Sequence, residues 1–135
     1  MGHFKIVEFD CNCKNEKCPA KSANGELHIA VSLICALERV RVKLGKPITI
    51  RSGMRCKPYN KLVGGVVASQ HMLGTAADIT CAKTDLTALY MLCLAEPALT
   101  AIGDGRISGG FIHVDVRPNA GAEHGGGKRK EWTYN

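Results

Sequence analysis

The chain has 135 residues, of which 45% are apolar, so it is long enough for one domain with a single core and gives no sign of disorder or of a fibrous class. Apolar runs of the roughly 20 residues that span a bilayer are missing, and the first residues lack the apolar segment of a signal peptide, so we expect synthesis in the cytoplasm and no membrane partner. The net charge of +6 permits attraction to anionic polymers, but three Phe, three Tyr and one Trp are too few for a base-stacking surface, and no nucleic-acid partner is expected.

The N-terminal arm, residues 1–25, is rich in cysteine. Residues 4–9 alternate partly between apolar and polar, which predicts a short strand or an extended arm. Cys11, Cys13 and Cys18 follow within eight residues, and Cys56 could join them across the fold. The spacing C-x-C-x4-C is not that of a zinc ribbon. A second metal site, a disulfide and unligated loop thiols therefore all remain open.

Two helices are predicted by apolar residues that recur at three- and four-residue steps. The first spans Glu26–Leu44, with Asn24 as its N-cap and Gly45 as its C-terminal stop. The second follows Thr84 as a cap and ends before Pro97. Shorter elements are predicted between and after these helices: a strand over Ile48–Ser52, a short helix or turn over residues 57–63, a strand over Leu99–Ile102, a glycine-rich connection over Gly103–Gly110 and a mobile glycine-rich loop over residues 119–131.

Two further strands carry the residues with metal-binding chemistry. His71 and Asp78 lie seven residues apart, and Gly74 between them allows a sharp turn that brings His71 back beside the strand of Asp78. Alternation places Ala76, Asp78 and Thr80 on one face of that strand and Ala77, Ile79 and Cys81 on the other. In residues 111–117, His113 shares a face with Phe111, Asp115 and Arg117. Two histidines and one aspartate make a zinc set that leaves a fourth position for water.

The pattern S-x-H-x-x-G-x-A-x-D, followed by a strand that ends H-x-D, resembles the zinc D-Ala-D-Ala carboxypeptidases and their relatives, which include phage endolysin peptidases and the peptidase-like domain of hedgehog proteins. The matching residues of the first motif are Ser69, His71, Gly74, Ala76 and Asp78. The resemblance extends from about Ile48 to Trp132. It implies an α+β fold in one domain, residues 1–135, with a mainly antiparallel central sheet flanked by helices. It also implies one catalytic zinc ion bound through His71, Asp78 and His113, and we expect the protein to be a monomer.

The resemblance also assigns roles around the metal. Arg55 matches an arginine that binds substrate near the scissile carbonyl or the terminal carboxylate, and Ser69 should hydrogen-bond backbone or substrate near the ion. Many relatives carry a general base three residues before the last histidine, but this chain has Gly110 there. Asp115 is then the nearest candidate for the base, with a structural role behind a histidine as the alternative. Glu131 or Asp104 could otherwise take its place, or the domain could be inactive.

Three functions follow from these patterns. The first is a zinc metallopeptidase that hydrolyses peptidoglycan stem peptides, as a carboxypeptidase or an endopeptidase, delivered to the cell wall by a phage lysis system or a virion. The second is a non-catalytic zinc-binding structural or wall-binding module, which the glycine at position 110 favours. The third is a nucleic-acid-binding protein whose N-terminal cysteines hold a structural zinc ion.

Overall fold

A mixed sheet forms the centre of the computed structural model, which describes residues 2–25, 28–118 and 129–135. Within those residues the sheet has five strands, which are β1 (Thr49–Ser52), β2 (Ala76–Thr80), β3 (Ala101–Gly105), β4 (Phe111–Asp115) and β5 (Lys130–Thr133). Their order across the sheet is β1, β2, β4, β3, β5. Neighbouring strands are antiparallel except β3 and β5, which are parallel. The prediction of an α+β fold with a mainly antiparallel sheet is confirmed.

The helices of the described residues are α1 (Val31–Leu44), α2 (Lys57–Leu62) and α3 (Leu86–Leu94). None of them is long and apolar enough to cross a membrane. One face of the sheet packs against α1 and α3. The buried side chains of this core come from both layers and include Leu33, Leu37, Ile79, Leu89, Ile102, Ile112 and Val114. The predicted alternation of β2 and β4 is confirmed, because Ala77, Ile79, Ile112 and Val114 enter this core, whereas Asp78, His113 and Asp115 face the other way.

The first helix begins later than predicted. Its N-cap position is Ala30, whose ψ of 128° is not helical and whose backbone N–H donates to the carbonyl of Gly74 at 2.9 Å in place of a helical partner. Asn24 instead ends a 3-10 turn, and its side-chain amide donates to the carbonyls of Glu16 and Cys18. The prediction of Asn24 as the N-cap was wrong, and residues 26–27 lie outside the described residues.

Three other elements also differ from the prediction. The N-terminal residues 4–9 contain a 3-10 helix, Ile6–Phe9, in place of a strand, and Phe9 is buried in the core. Thr84 lies within a 3-10 turn, and the cap position of α3 is Asp85. Strand β3 begins at Ala101 and includes three residues of the predicted glycine-rich connection.

The end of the chain departs from the prediction of a loop over residues 119–131. Lys130 and Glu131 belong to β5, which pairs with β3 at the edge of the sheet. Residues 119–128 of that predicted loop lie outside the described residues.

Candidate metal centre

The pairing of β2 with β4 places two of the predicted metal ligands side by side. Asp78 is the direct antiparallel partner of His113, and partners in such a pair project from the same face of a sheet. That face is the one turned away from α1 and α3. His71 reaches the same point from a 3-10 turn, Gln70–Leu73, just before β2. One ligand atom from each of the three side chains lies within 4.8 Å of the other two.

Gly74 makes the return of His71 to β2 possible. Its φ of +73° is a left-handed conformation, and a Cβ at this position would lie 1.8 Å from the carbonyl oxygen of His28. The predicted turn at Gly74 is therefore present and is packed directly against backbone. Ser69 stabilises the start of the same turn, because its hydroxyl accepts a hydrogen bond from the backbone N–H of His71 at 3.2 Å.

Hydrogen bonds behind the two rings determine which nitrogen of each histidine faces the centre. His71 Nδ1 lies 2.7 Å from the carbonyl oxygen of Gly53, which can only accept, so this nitrogen carries the proton. His113 Nε2 lies 2.7 Å from Asp115 Oδ2 and donates in the same way. The remaining nitrogens, Nε2 of His71 and Nδ1 of His113, lie 3.3 and 3.0 Å from Asp78 Oδ1.

Two unprotonated ring nitrogens and a carboxylate oxygen thus converge on one point. Their lone pairs repel one another unless a cation lies among them or the rings become protonated. Burial alone would lower the pKa of His113, but hydrogen bonds with Asp115 and Asp78 outweigh it and raise that pKa. Burial alone would raise the pKa of Asp78, but hydrogen bonds from His113 and His71, once these rings are protonated, bring it well below its ordinary value. Imidazole nitrogen and carboxylate oxygen are donors that zinc accepts, so the residues present fit this ion.

Asp115 lies behind His113 and faces away from the open side of the centre. It is completely buried, and both of its oxygens accept hydrogen bonds from the guanidinium of Arg117, at 2.9 Å from Nε and 2.6 Å from Nη2. Burial would raise its pKa, but the bonds from Arg117 and His113 lower the pKa of Asp115 to about 2. A carboxylate held in this way orients a histidine ring. The geometry favours the structural alternative for Asp115 over a role as general base.

The two substitute bases suggested by the sequence project from the wrong face of the sheet. Asp104 pairs with Ile112 and Glu131 with Ile102, and both of these isoleucines point into the core beneath the helices. Since paired residues share a face, Asp104 and Glu131 lie on the face opposite His113. Asp104 is moreover bound by the guanidinium of Arg106, with Nη2 at 2.8 Å.

The residue at position 110, Gly110, has a backbone conformation that favours glycine. Its φ of +68° is left-handed, at the point where the chain turns into β4. A residue with a Cβ would be strained there by about 1–2 kcal/mol, although a Cβ would meet no other atom within 4 Å.

Arg55 contacts the metal centre from the side of β1. Its Nη2 donates to Asp78 Oδ2 at 3.2 Å, while Nε donates to Ser52 and Nη1 to Asn60. The guanidinium thus holds the second oxygen of Asp78 and leaves Oδ1 for the histidines. Within the part of the chain that the structure describes, these bonds use three of the five N–H groups of arginine.

The centre lies in a cleft of about 580 Å³, and the sequence analysis missed the aromatic residues on one side of it, Trp132 and Tyr134. Trp132 pairs with Gly103, which in turn pairs with His113, so the indole reaches across the glycine to within 5.2 Å of the His113 ring, measured between centroids. A Cβ on Gly103 would lie 2.6 Å from the indole. The sequence contained a signal for these two residues. Trp132 and Tyr134 are two positions apart, which is the spacing of side chains on one face of a strand.

An α+β fold with two histidines and one aspartate at the base of an open cleft is typical of a zinc metallopeptidase. A family model described as Peptidase M15 matches residues 2–115, and the chain belongs to this family. No curated protein matches the chain. Membership confirms the resemblance seen in the sequence and indicates a zinc-dependent hydrolase of peptides. The matched residues include His71, Asp78 and His113 and end before β5.

Proposed function

We propose that this domain, residues 1–135, is a zinc-dependent peptidase that hydrolyses peptidoglycan stem peptides, either as a D-Ala-D-Ala carboxypeptidase or as an endopeptidase. The observation that carries the proposal is the convergence of Nε2 of His71, Nδ1 of His113 and Oδ1 of Asp78 at the base of an open cleft. The substrate class follows from the sequence resemblance. We also propose that the protein is a monomer and that a phage lysis system or a virion brings it to the cell wall.

In this proposal, His71, Asp78 and His113 hold one zinc ion. When bound, zinc lowers the pKa of a water molecule from 15.7 to about 7 and polarises a peptide carbonyl. The carbonyl of Gly53 and the carboxylate of Asp115 keep the two rings in the tautomer that binds metal. Asp115 is therefore a positioning residue.

The cleft offers groups of the right chemistry for a peptide with a free carboxylate. The hydrogen bonds among the described residues leave two N–H groups of Arg55 for a substrate, and a guanidinium binds a carboxylate through two parallel hydrogen bonds. Tyr134 lines the same cleft, and burial raises the pKa of its phenol. The phenol is therefore protonated at neutral pH and can donate a hydrogen bond to the carbonyl oxygen of a bound peptide.

One observation supports a second candidate, a zinc-binding module without activity. Among the described residues that line the cleft, Asp78 is the only carboxylate, and it is a proposed metal ligand. A peptidase also needs a group that accepts a proton from water, and the family's usual position for it is glycine here.

Digestion of purified peptidoglycan, followed by mass spectrometry of the muropeptides, distinguishes the two candidates. The zinc-loaded protein should release D-Ala if it is a carboxypeptidase, or produce new amino groups if it is an endopeptidase. Either activity should stop with a chelator and return with added zinc. The variant His71→Ala should lose both the metal and the activity, whereas Cys35→Ser, on an exposed surface, should retain both. No turnover by fully zinc-loaded protein would refute the peptidase and support the module.

A further inference from the structure

Four cysteine thiols gather at a second place, outside the cleft. Three of them, Cys11, Cys13 and Cys18, belong to the N-terminal arm. The fourth, Cys56, is the residue directly before α2. All four are free thiols, and their Sγ atoms lie within 4.8 Å of one another. The sequence named Cys56, 38 residues beyond Cys18, as a candidate fourth member, but its spacing left a metal site, a disulfide and unligated thiols all open.

One sulfur–sulfur distance in this cluster matches that of a zinc site, and the other sulfur atoms lie within 4.8 Å of one another. Zinc binds four thiolates tetrahedrally at about 2.3 Å, which puts the sulfurs about 3.8 Å apart. Sγ of Cys11 lies 3.7 Å from Sγ of Cys56, whereas a disulfide would require about 2.05 Å. We propose that Cys11, Cys13, Cys18 and Cys56 together bind one structural zinc ion.

Phe9 packs into the main core, but the part of the N-terminal arm that follows it buries few apolar side chains. Its local core consists of Cys11, Cys18 and Ala20, separate from the main core beneath the sheet. Two short 3-10 turns are its regular structure in residues 2–25. So few buried apolar atoms contribute little stability, and small segments of this kind generally need a cross-link or a metal. A zinc ion bound to thiolates from both sides supplies that cross-link.

The backbone around the cluster is also arranged for a charged sulfur. The N–H of Cys56 donates to Sγ of Cys11 at 3.4 Å, and hydrogen bonds of this kind stabilise a thiolate that binds metal.

The proposed ion would also brace the metal centre in the cleft. Cys56 follows directly after Arg55, which binds Asp78, and the carbonyl of Gly53 in the same loop accepts a hydrogen bond from Nδ1–H of His71. The loop over residues 53–56 therefore connects the two sites. A zinc ion bound by the four cysteines would hold Cys56, at the end of this loop, in place.

Metal content and spectroscopy test this proposal without any measurement of activity. Protein loaded with zinc under reducing conditions should contain two zinc ions per chain, one in the cleft and one at the four cysteines. Replacement of zinc by cobalt should give thiolate-to-cobalt charge-transfer absorption, which the two histidines and the aspartate of the cleft cannot produce. The absence of that absorption in the wild-type protein would overturn the proposal, and so would disulfides among the four cysteines after thiol blocking and mass spectrometry.

Variants then assign each ion to its residues. Cys13→Ser should lose one zinc ion and the charge-transfer absorption, while Cys35→Ser, an exposed cysteine outside the cluster, should keep both. His71→Ala should lose one zinc ion but keep the absorption. An unchanged zinc content and absorption in Cys13→Ser would refute the proposal. If Cys13→Ser does not fold, the wild-type cobalt spectrum still decides. A protein with the absorption but without peptidoglycan activity would uphold this site and refute the peptidase.

Discussion

Replacing Asp115 with asparagine tests whether this residue positions His113 or accepts a proton during hydrolysis. The carboxylate is buried, accepts a hydrogen bond from His113 Nε2–H at 2.7 Å and binds Arg117 through both oxygens. Asparagine keeps the size of the side chain but loses its charge, and its NH2 group can turn toward the ring. The ring would then accept at Nε2 and carry its proton on Nδ1, the nitrogen that faces Asp78.

The loss of an outer hydrogen-bond partner of this kind typically weakens metal affinity by about 10–100-fold, or about 1.4–2.7 kcal/mol. We expect Asp115→Asn to weaken zinc binding by that amount, measured by competition with a chromophoric chelator. Turnover should largely recover at saturating zinc. If Asp115 were instead the general base, zinc affinity would stay at the wild-type value and turnover would remain low at every zinc concentration.

The chain contains a matched control for this experiment on the other face of the sheet. Asp104 binds Arg106 through the backbone N–H at 3.0 Å, Nε at 2.9 Å and Nη2 at 2.8 Å. Asp115 binds Arg117 through the same three groups, at 3.1, 2.9 and 2.6 Å. Asp104→Asn therefore removes the same kind of ion pair without touching a histidine, and zinc affinity should not change. Equal losses of affinity in both variants, or no loss in Asp115→Asn, would refute the positioning role.

Two further predictions concern stability. In urea unfolding, Gly74→Ala should lower the free energy of unfolding by about 3 kcal/mol, because left-handed strain, a clash with the carbonyl of His28 and a displaced backbone hydrogen bond add together. Gly64 is also left-handed but has open space around it, so Gly64→Ala should lose only about 1 kcal/mol. Equal losses in the two variants would contradict the packing argument. The hydrogen bonds from Arg39 lower the pKa of Glu96 below its ordinary 4.5, so this pair stabilises the fold fully above pH 4.5 and progressively less as the pH falls through the lowered pKa. The stability difference between wild type and Arg39→Ala should shrink on acidification, and a difference that stays constant from pH 7 to about pH 3 would contradict this linkage.

Local patterns in the sequence predicted those features that depend on neighbouring residues. Alternation assigned the faces of β2 and β4, and helical periodicity located α1 and α3, because side-chain direction follows directly from backbone geometry. The turn at Gly74 followed from the freedom of glycine, and the residue types of His71, Asp78 and His113 indicated their chemistry.

The tertiary structure decided everything that depends on which strands pair and in which register. The pairing of β2 with β4 sets Asp78 beside His113, and the register of β3 and β5 sends Asp104 and Glu131 to the opposite face. The same pairing buries Asp115 and carries Trp132 across Gly103 to the metal centre. Periodicity reports only the direction of a side chain relative to its own strand, whereas register depends on contacts between distant residues, and a shift by one position would reverse every assignment.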